Sequence, residues 1–170
     1  MDKRWILILI ILIVGCVCIY FIVDSSTTVG DAITVVNKSV ITLPQDFTIG
    51  DDDKNSVELI DKNTHESIYI KDLGKGDKSF DCFKDELNSL NKNDEVNILS
   101  NSTVKIGDIN TYKIDLQNLT SSENSTIAYI YTSNHTFTLK FYGYSNQNDL
   151  NNDLDFIVST ISPDFKQAQD

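Results

Sequence analysis

Trp5 to Val23 is an unbroken run of nineteen residues, WILILIILIVGCVCIYFIV, with no charged and no strongly polar side chain. As a helix rising about 1.5 Å per residue, it just matches a hydrocarbon layer about 30 Å thick. Lys3 and Arg4 precede the run, whereas residues 24–37 contain neither Lys nor Arg. Cations held on one flank keep that flank cytoplasmic. The sequence therefore predicts a single-pass anchor with its carboxyl-terminal body outside the cell, the lipid bilayer being its partner through residues 5–23. A cleaved signal peptide would have a shorter apolar core, about 7–15 residues, closed by a small-x-small site. Tyr20-Phe21-Ile22-Val23 leads into Asp24 without such a site.

Ile13-Val14-Gly15-Cys16 loosely resembles a lipoprotein processing box, in which Cys16 would become a lipid-bearing terminus. The apolar continuation from Val17 to Val23 departs from that pattern. Whether anchored by the helix or lipidated at Cys16, the domain is tethered to the outer face.

The 147 residues after the run suffice for one domain with an ordinary core. Removing Asp2, Lys3 and Arg4 takes the net charge from −11 to −12. Such a surface repels nucleic acid and anionic headgroups, so neither is expected as a ligand. Of the three cysteines, Cys16 and Cys18 lie in the apolar run and Cys82 stands alone, which rules out a disulfide within the outer body. Cys82 reads as a small, partly buried hydrophobe. Five Asn-x-Ser/Thr triplets, at Asn37, Asn101, Asn118, Asn124 and Asn134, fit an exported and glycosylated domain.

Residues 24–32 read as a polar stalk, 33–165 as the domain and 166–170 as a frayed tail. Val40-Ile41-Thr42-Leu43 stops at Pro44 and Phe47-Thr48-Ile49 at Gly50. Val57–Ile60 and Ile68–Lys71 follow as strands around a turn at Asp61–Thr64. The period then changes: Phe80, Phe83, Leu87 and Leu90 recur at helical spacing, with Asp77 or Ser79 as candidate cap. Strand character resumes at Val96–Leu99, Val104–Ile106 and Tyr112–Leu116, where Thr111, Lys113 and Asp115 form the polar alternation. Leu119–Ser125 reads as an exposed loop. Ile127–Tyr131 and Phe137–Tyr142 bracket a hairpin turn, and the former, apolar on both sides, reads as a central strand. Leu150, Leu154, Ile157 and Ile161 form a last helical stripe ended by Pro163. The predicted class is α+β, an antiparallel sheet of five to seven strands with a middle and a C-terminal amphipathic helix.

That order, with Ile41-Thr42-Leu43-Pro44 leading to Phe47, resembles the PsbP/Mog1-like fold. The resemblance covers about residues 33–165 and is one of pattern, without a diagnostic motif. It implies an assembly or binding role, and none of that group's functional residues maps onto a position here. The anchored layout, rich in Asn, Ile, Lys and Asp, also resembles small membrane-tethered proteins of AT-rich prokaryotes, including methanogenic archaea.

Catalytic and metal constellations are sparse. His65 and His135 both fall in predicted turns, and no phosphate-cradling glycine loop, nucleophile elbow or spaced metal pair is present. Gly74-Lys75-Gly76-Asp77 reads as a turn into the helix. Asp51-Asp52-Asp53 supplies hard oxygen ligands of the kind Ca²⁺ takes, without the alternate spacing of a calcium loop, and reads as a solvated turn. Asp149, Asp153 and Asp155 read as wet helix surface. Tyr129, Tyr131, Tyr142 and Tyr144 read as one sheet face, for packing or aromatic binding. No cofactor, metal or catalytic residue is expected. The expected role is a non-catalytic binding or scaffold module with an envelope protein partner. An envelope hydrolase with a site assembled only in three dimensions, or a subunit acting through its membrane helix, are the alternatives.

Overall fold

The computed structural model describes residues 32–35 and 39–163. The apolar run with Cys16 and Cys18, the sequon at Asn37 and the tail 166–170 lie outside them. Among the described residues no helix is long and apolar enough to cross a membrane.

In chain order the elements are β1 (Ala32–Val35), β2 (Ser39–Thr42), β3 (Phe47–Asp53), β4 (Ser56–Asp61), β5 (Ser67–Lys75), α1 (Ser79–Leu90), β6 (Val96–Ile106), β7 (Ile109–Asn118), β8 (Asn124–Thr132), β9 (His135–Tyr144), α2 (Gln147–Thr160) and β10 (Ser162–Pro163). The large sheet has seven strands in the order β3-β4-β5-β9-β8-β7-β6. Every pairing in it is antiparallel. It is two meanders joined where β5 meets β9. Between β5 and the far edge strand β6 the chain must cross the sheet, and α1 makes that crossing over β9, β8 and β7. The expected α+β class with an antiparallel sheet and two helices is observed.

Ile127–Tyr131 lies in β8, flanked by β9 and β7, which is why it is apolar on both sides. The turn after it is only Ser133-Asn134, both with positive φ (53° and 64°), the geometry that matches the twist of a two-residue hairpin. Val96–Ile106 is one strand rather than two, because a register shift between Ile98 and Ser100 absorbs the break in alternation at Leu99. A similar irregularity between Asn124 and Thr126 faces Gly143. Gly143 has φ +77°, and a Cβ there would stand 3.3 Å from the His65 carbonyl oxygen.

The helix-facing sides differ. On one, Leu150, Leu154, Ile157 and Val158 of α2 meet Val57, Leu59, Ile68, Ile70, Ile130, Leu139 and Phe141. Burying each such side chain contributes about 1.5–3 kcal/mol. A second small sheet, β1-β2-β10, was not anticipated as a separate unit; it sets Ile41 into this core, and the Thr42 N–H donates to Thr160 Oγ1 at 3.3 Å. On the other side, Phe83 packs with Ile114, Leu116, Ile127 and Tyr129. Phe80, expected in that stripe, stays half exposed, with its ring 5.3 Å from Tyr112.

Both helix starts are capped locally. Asp77 Oδ1 accepts from the Ser79 N–H (3.1 Å) and Oγ (2.6 Å), so the two expected cap residues act on each other while Lys78 holds the cap position. Asn146 Oδ1 accepts from the Asn148 N–H at the start of α2.

Thr111, Lys113 and Asp115, the expected wet side of β7, are in fact covered by α2. Asp115 is buried and accepts from Ser100 Oγ (2.6 Å), Thr126 Oγ1 (2.7 Å) and Gln147 Nε2 (3.2 Å), with Lys113 Nζ at 3.2 Å. Lys113 Nζ also donates to Asn151 Oδ1 at 2.8 Å. A carboxylate with this many donors holds the first turn of α2 on the sheet.

Candidate functional site

Because α1 crosses only β9, β8 and β7, no helix among the described residues covers the same side of β3, β4 and β5. A groove of about 450 Å³ runs along the boundary. Strand alternation supplies its floor: Tyr69, Lys71 and Leu73 from β5, Thr138 and Lys140 from β9, and Tyr129 from β8. Its wall is the flank of α1 carrying Cys82, Asp85 and Glu86, positions i, i+3 and i+4 on one helix face.

Glu86 joins wall to floor. Its Oε2 accepts from the Tyr129 hydroxyl at 3.4 Å, and its Oε1 lies 4.0 Å from Lys140 Nζ. Tyr69 stands opposite Lys140, and Lys71 opposite Thr138, in the β5–β9 register. The Thr138 hydroxyl, 5% exposed as a residue, stands beside the Tyr129 oxygen without the geometry of a hydrogen bond to it or to any other group.

Burial, followed by the Glu86 charge, pushes the Tyr129 phenol well above its ordinary range. Burial, then Asp85, pushes the Cys82 thiol up. Tyr142, beyond the groove's edge, is raised by burial and then by Glu86. All three keep their protons at neutral pH. Thiolate and phenolate nucleophiles are disfavoured here, and hydrogen-bond donation with ion pairing is what the groove can do.

The residues singled out in the sequence fall elsewhere. Asp51, Asp52 and Asp53 are exposed at the end of edge strand β3, not in a turn. Among the described residues no group of three or more His, Cys, Asp or Glu is placed to hold a metal. His65 sits after the β4–β5 turn with φ 64°. His135 is not a free turn residue: it opens β9, and its Nδ1 lies 2.7 Å from Oδ2 of the buried Asp72. The Asp72 Oδ1 accepts from the Gly74 N–H at 2.6 Å, so this carboxylate is gripped from both sides. Gly74–Asp77 leads into α1 as read, with the Gly76 carbonyl accepting from Thr136 Oγ1 at 2.7 Å.

The tyrosines divide between faces. Tyr129 packs under α1, whereas Tyr144 lies in the α2 core and donates to Asp153 Oδ2 at 2.7 Å. Asp153 is thus not plain wet surface; burial, followed by Glu66 and Asp149, raises its carboxyl above the ordinary range against the pull of the Tyr144 bond. Asp149 and Asp155 are exposed. Among the sequons, Asn101 is exposed in mid-β6, Asn124 is half-buried at the start of β8, and Asn134 is exposed in the two-residue turn. Asn118 Oδ1 accepts from the Thr120 and Ser121 N–H groups.

Lys71, Lys140, Asp85 and Glu86 were not read from the sequence as a site. The available signal was a pair of lysines on the helix-facing side of two strands, where an amphipathic helix would be expected to meet apolar residues.

No protein-family model matches the sequence, and no curated protein does. Solved structures do resemble it. A protein of Bacteroides thetaiotaomicron VPI-5482 superposes with a TM-score of 0.57 at 19% identity, over 79% of this chain and 48% of that one; the chain thus spans about half of that protein's length. The solution structure of cyanobacterial PsbP (CyanoP) from Synechocystis sp. PCC 6803 matches with a TM-score of 0.54 at 8% identity, over 78% of this chain and 91% of that one. At these identities the likeness is one of architecture: the chain has a PsbP-like α+β fold.

Proposed function

We propose that this chain is a non-catalytic binding or scaffold protein of a prokaryotic, in our reading archaeal, envelope. Residues 5–23 hold it in the membrane and the PsbP-like domain faces outward, towards an envelope partner or ligand. The observation that supports binding is the groove beside α1, where lysines on the sheet face carboxylates on the helix around protonated hydroxyl and thiol donors. Such a set favours recognition over nucleophilic chemistry. Native mass spectrometry of the full-length protein, purified in mild detergent from its own cells, tests it. The expected result is a discrete bound species that is lost in Glu86→Gln with Lys140→Met. Wild type and variant carrying the same species, or neither carrying any, overturns the reading. The topology has its own test: protease added to intact cells is expected to remove the domain.

The second reading, an envelope hydrolase, has one observation in its favour. The His135–Asp72 pair at 2.7 Å holds an imidazole as a general base would be held. Neither residue lines the groove beside α1. Ester or amide hydrolysis by the purified chain that disappears in a folded His135→Ala variant would replace binding by catalysis.

A further inference from the structure

We propose that β6 is a dimerisation edge: two copies of this chain pair their β6 strands antiparallel about a two-fold axis at Thr103, joining two seven-stranded sheets into one. β6 is 11 residues long and, among the described residues, pairs with β7 alone. Gly107, at φ +57°, opens a two-residue turn of the II′ kind, which makes Ile106–Ile109 a hydrogen-bonded pair. Such pairs alternate along an antiparallel ladder. Ser102, Val104 and Ile106 therefore spend their backbone groups on β7, and Asn101, Thr103 and Lys105 turn theirs outward. The register shift at Ile98–Ser100 ends the regular stretch on one side and the turn ends it on the other, so its midpoint is Thr103. Centred there, Thr103 meets its own copy, Asn101 meets Lys105, and Ser102 meets Val104. Every outward N–H and C=O from Asn101 to Lys105 finds a partner, and no like charges stand opposed.

Charge selects a second copy as the occupant. The chain carries a net charge of −11, so two copies repel over most of their surface, yet β6 contains no Asp or Glu and its one ionised side chain is Lys105. Natural edge strands are guarded by charge, proline or brevity, and β6 has one lysine, no proline and great length. Its bulge shortens the pairing stretch without closing it. Exposed apolar side chains gather along the same border. Leu99 (47% exposed) and Val104 (37%) lie on β6 itself. Leu119 donates its N–H to the Glu95 carbonyl just before β6, and Phe80 stands over Tyr112, the β7 partner of Thr103. A two-fold axis brings this border against its own equal, the isologous arrangement commonest among soluble oligomers.

The experiment uses the full-length chain in mild detergent, with Cys16, Cys18 and Cys82 replaced by Ser and a single cysteine introduced on β6. Across the axis the two Thr103 Cα atoms would stand about 5.5 Å apart, within disulfide reach. Thr103→Cys is expected to give a covalent dimer on mild oxidation. Asn101→Cys, displaced about 13 Å from its own copy along the strands, should give roughly tenfold less. Native mass spectrometry of the chain with its own cysteines should show a dimer. Thr103→Lys, which opposes two ammonium groups at the axis, should be monomeric, and Thr103→Val should keep the dimer. Circular dichroism confirms that each variant is folded. A monomeric wild type, a dimer that survives Thr103→Lys, or equal cross-linking from positions 101 and 103 overturns the proposal. A foreign polypeptide held on β6 in place of the second copy, or a glycan on Asn101 in protein from its own cells, overturns it as well.

Discussion

The two faces of the seven-stranded sheet are closed to very different degrees. Among the described residues, seventeen buried hydrophobic residues form one cluster beneath α2, with the β1–β2 pair at its end; beneath α1 there are five. The first face is closed by α2 over most of its width, and the buried Asp115 there is fully engaged with donors. The second is sealed only over β7, β8 and β9, and its charges stand at the open boundary. Most of the buried apolar core resides on one face, and the other is the more open.

Substitutions can break that contrast, beginning with the sealed face. Phe141→Ala removes a fully buried ring and is expected to cost about 4 kcal/mol in chemical denaturation of the full chain. Asp115→Ala should cost about 3 kcal/mol, because Lys113, Ser100, Thr126 and Gln147 lose their shared acceptor in a covered site. Leu87→Ala, on the half-buried stripe of α1, should cost only about 1–2 kcal/mol. If Leu87→Ala equals Phe141→Ala, the faces are energetically alike and the contrast fails.

The smallest effect has the opposite sign. Burial raises the Asp153 carboxyl above its ordinary range, so the folded state holds that proton more tightly than the unfolded chain does. The resulting stabilisation is complete below the ordinary carboxylate value of about 4 and is lost as pH rises through the raised folded value. Asp153→Asn keeps an acceptor for Tyr144 without the charge. It should raise the Tm slightly at pH 7, with the gain vanishing in acid. A loss of Tm at neutral pH would mean that the Tyr144 bond outweighs desolvation.

Spacing alone disclosed α1, α2, the central position of β8 and the class of the fold, since each rests on local periodicity. The groove was hidden because its charges come from β5, α1 and β9, and a single lysine on a strand reads as solvent-facing until its neighbours are known. Asp115 misled for the converse reason: its alternation with Ile114 and Leu116 is that of a wet face, and only α2, some thirty residues later, covers it. His135 misled likewise, since its partner Asp72 lies sixty-three positions away. The third sheet element β10, two residues long, has no periodicity to read.

Asp51, Asp52 and Asp53 have a consequence as a border. They lie on β3, which among the described residues is paired only with β4, and an open strand rim invites any extended polypeptide to continue the sheet. Three adjacent anionic groups make that rim hostile to other copies of an acidic chain. Crowded side by side on a surface, such molecules could not zip together along β3, and neutralising the triplet would be felt first as clumping, long before any loss of fold.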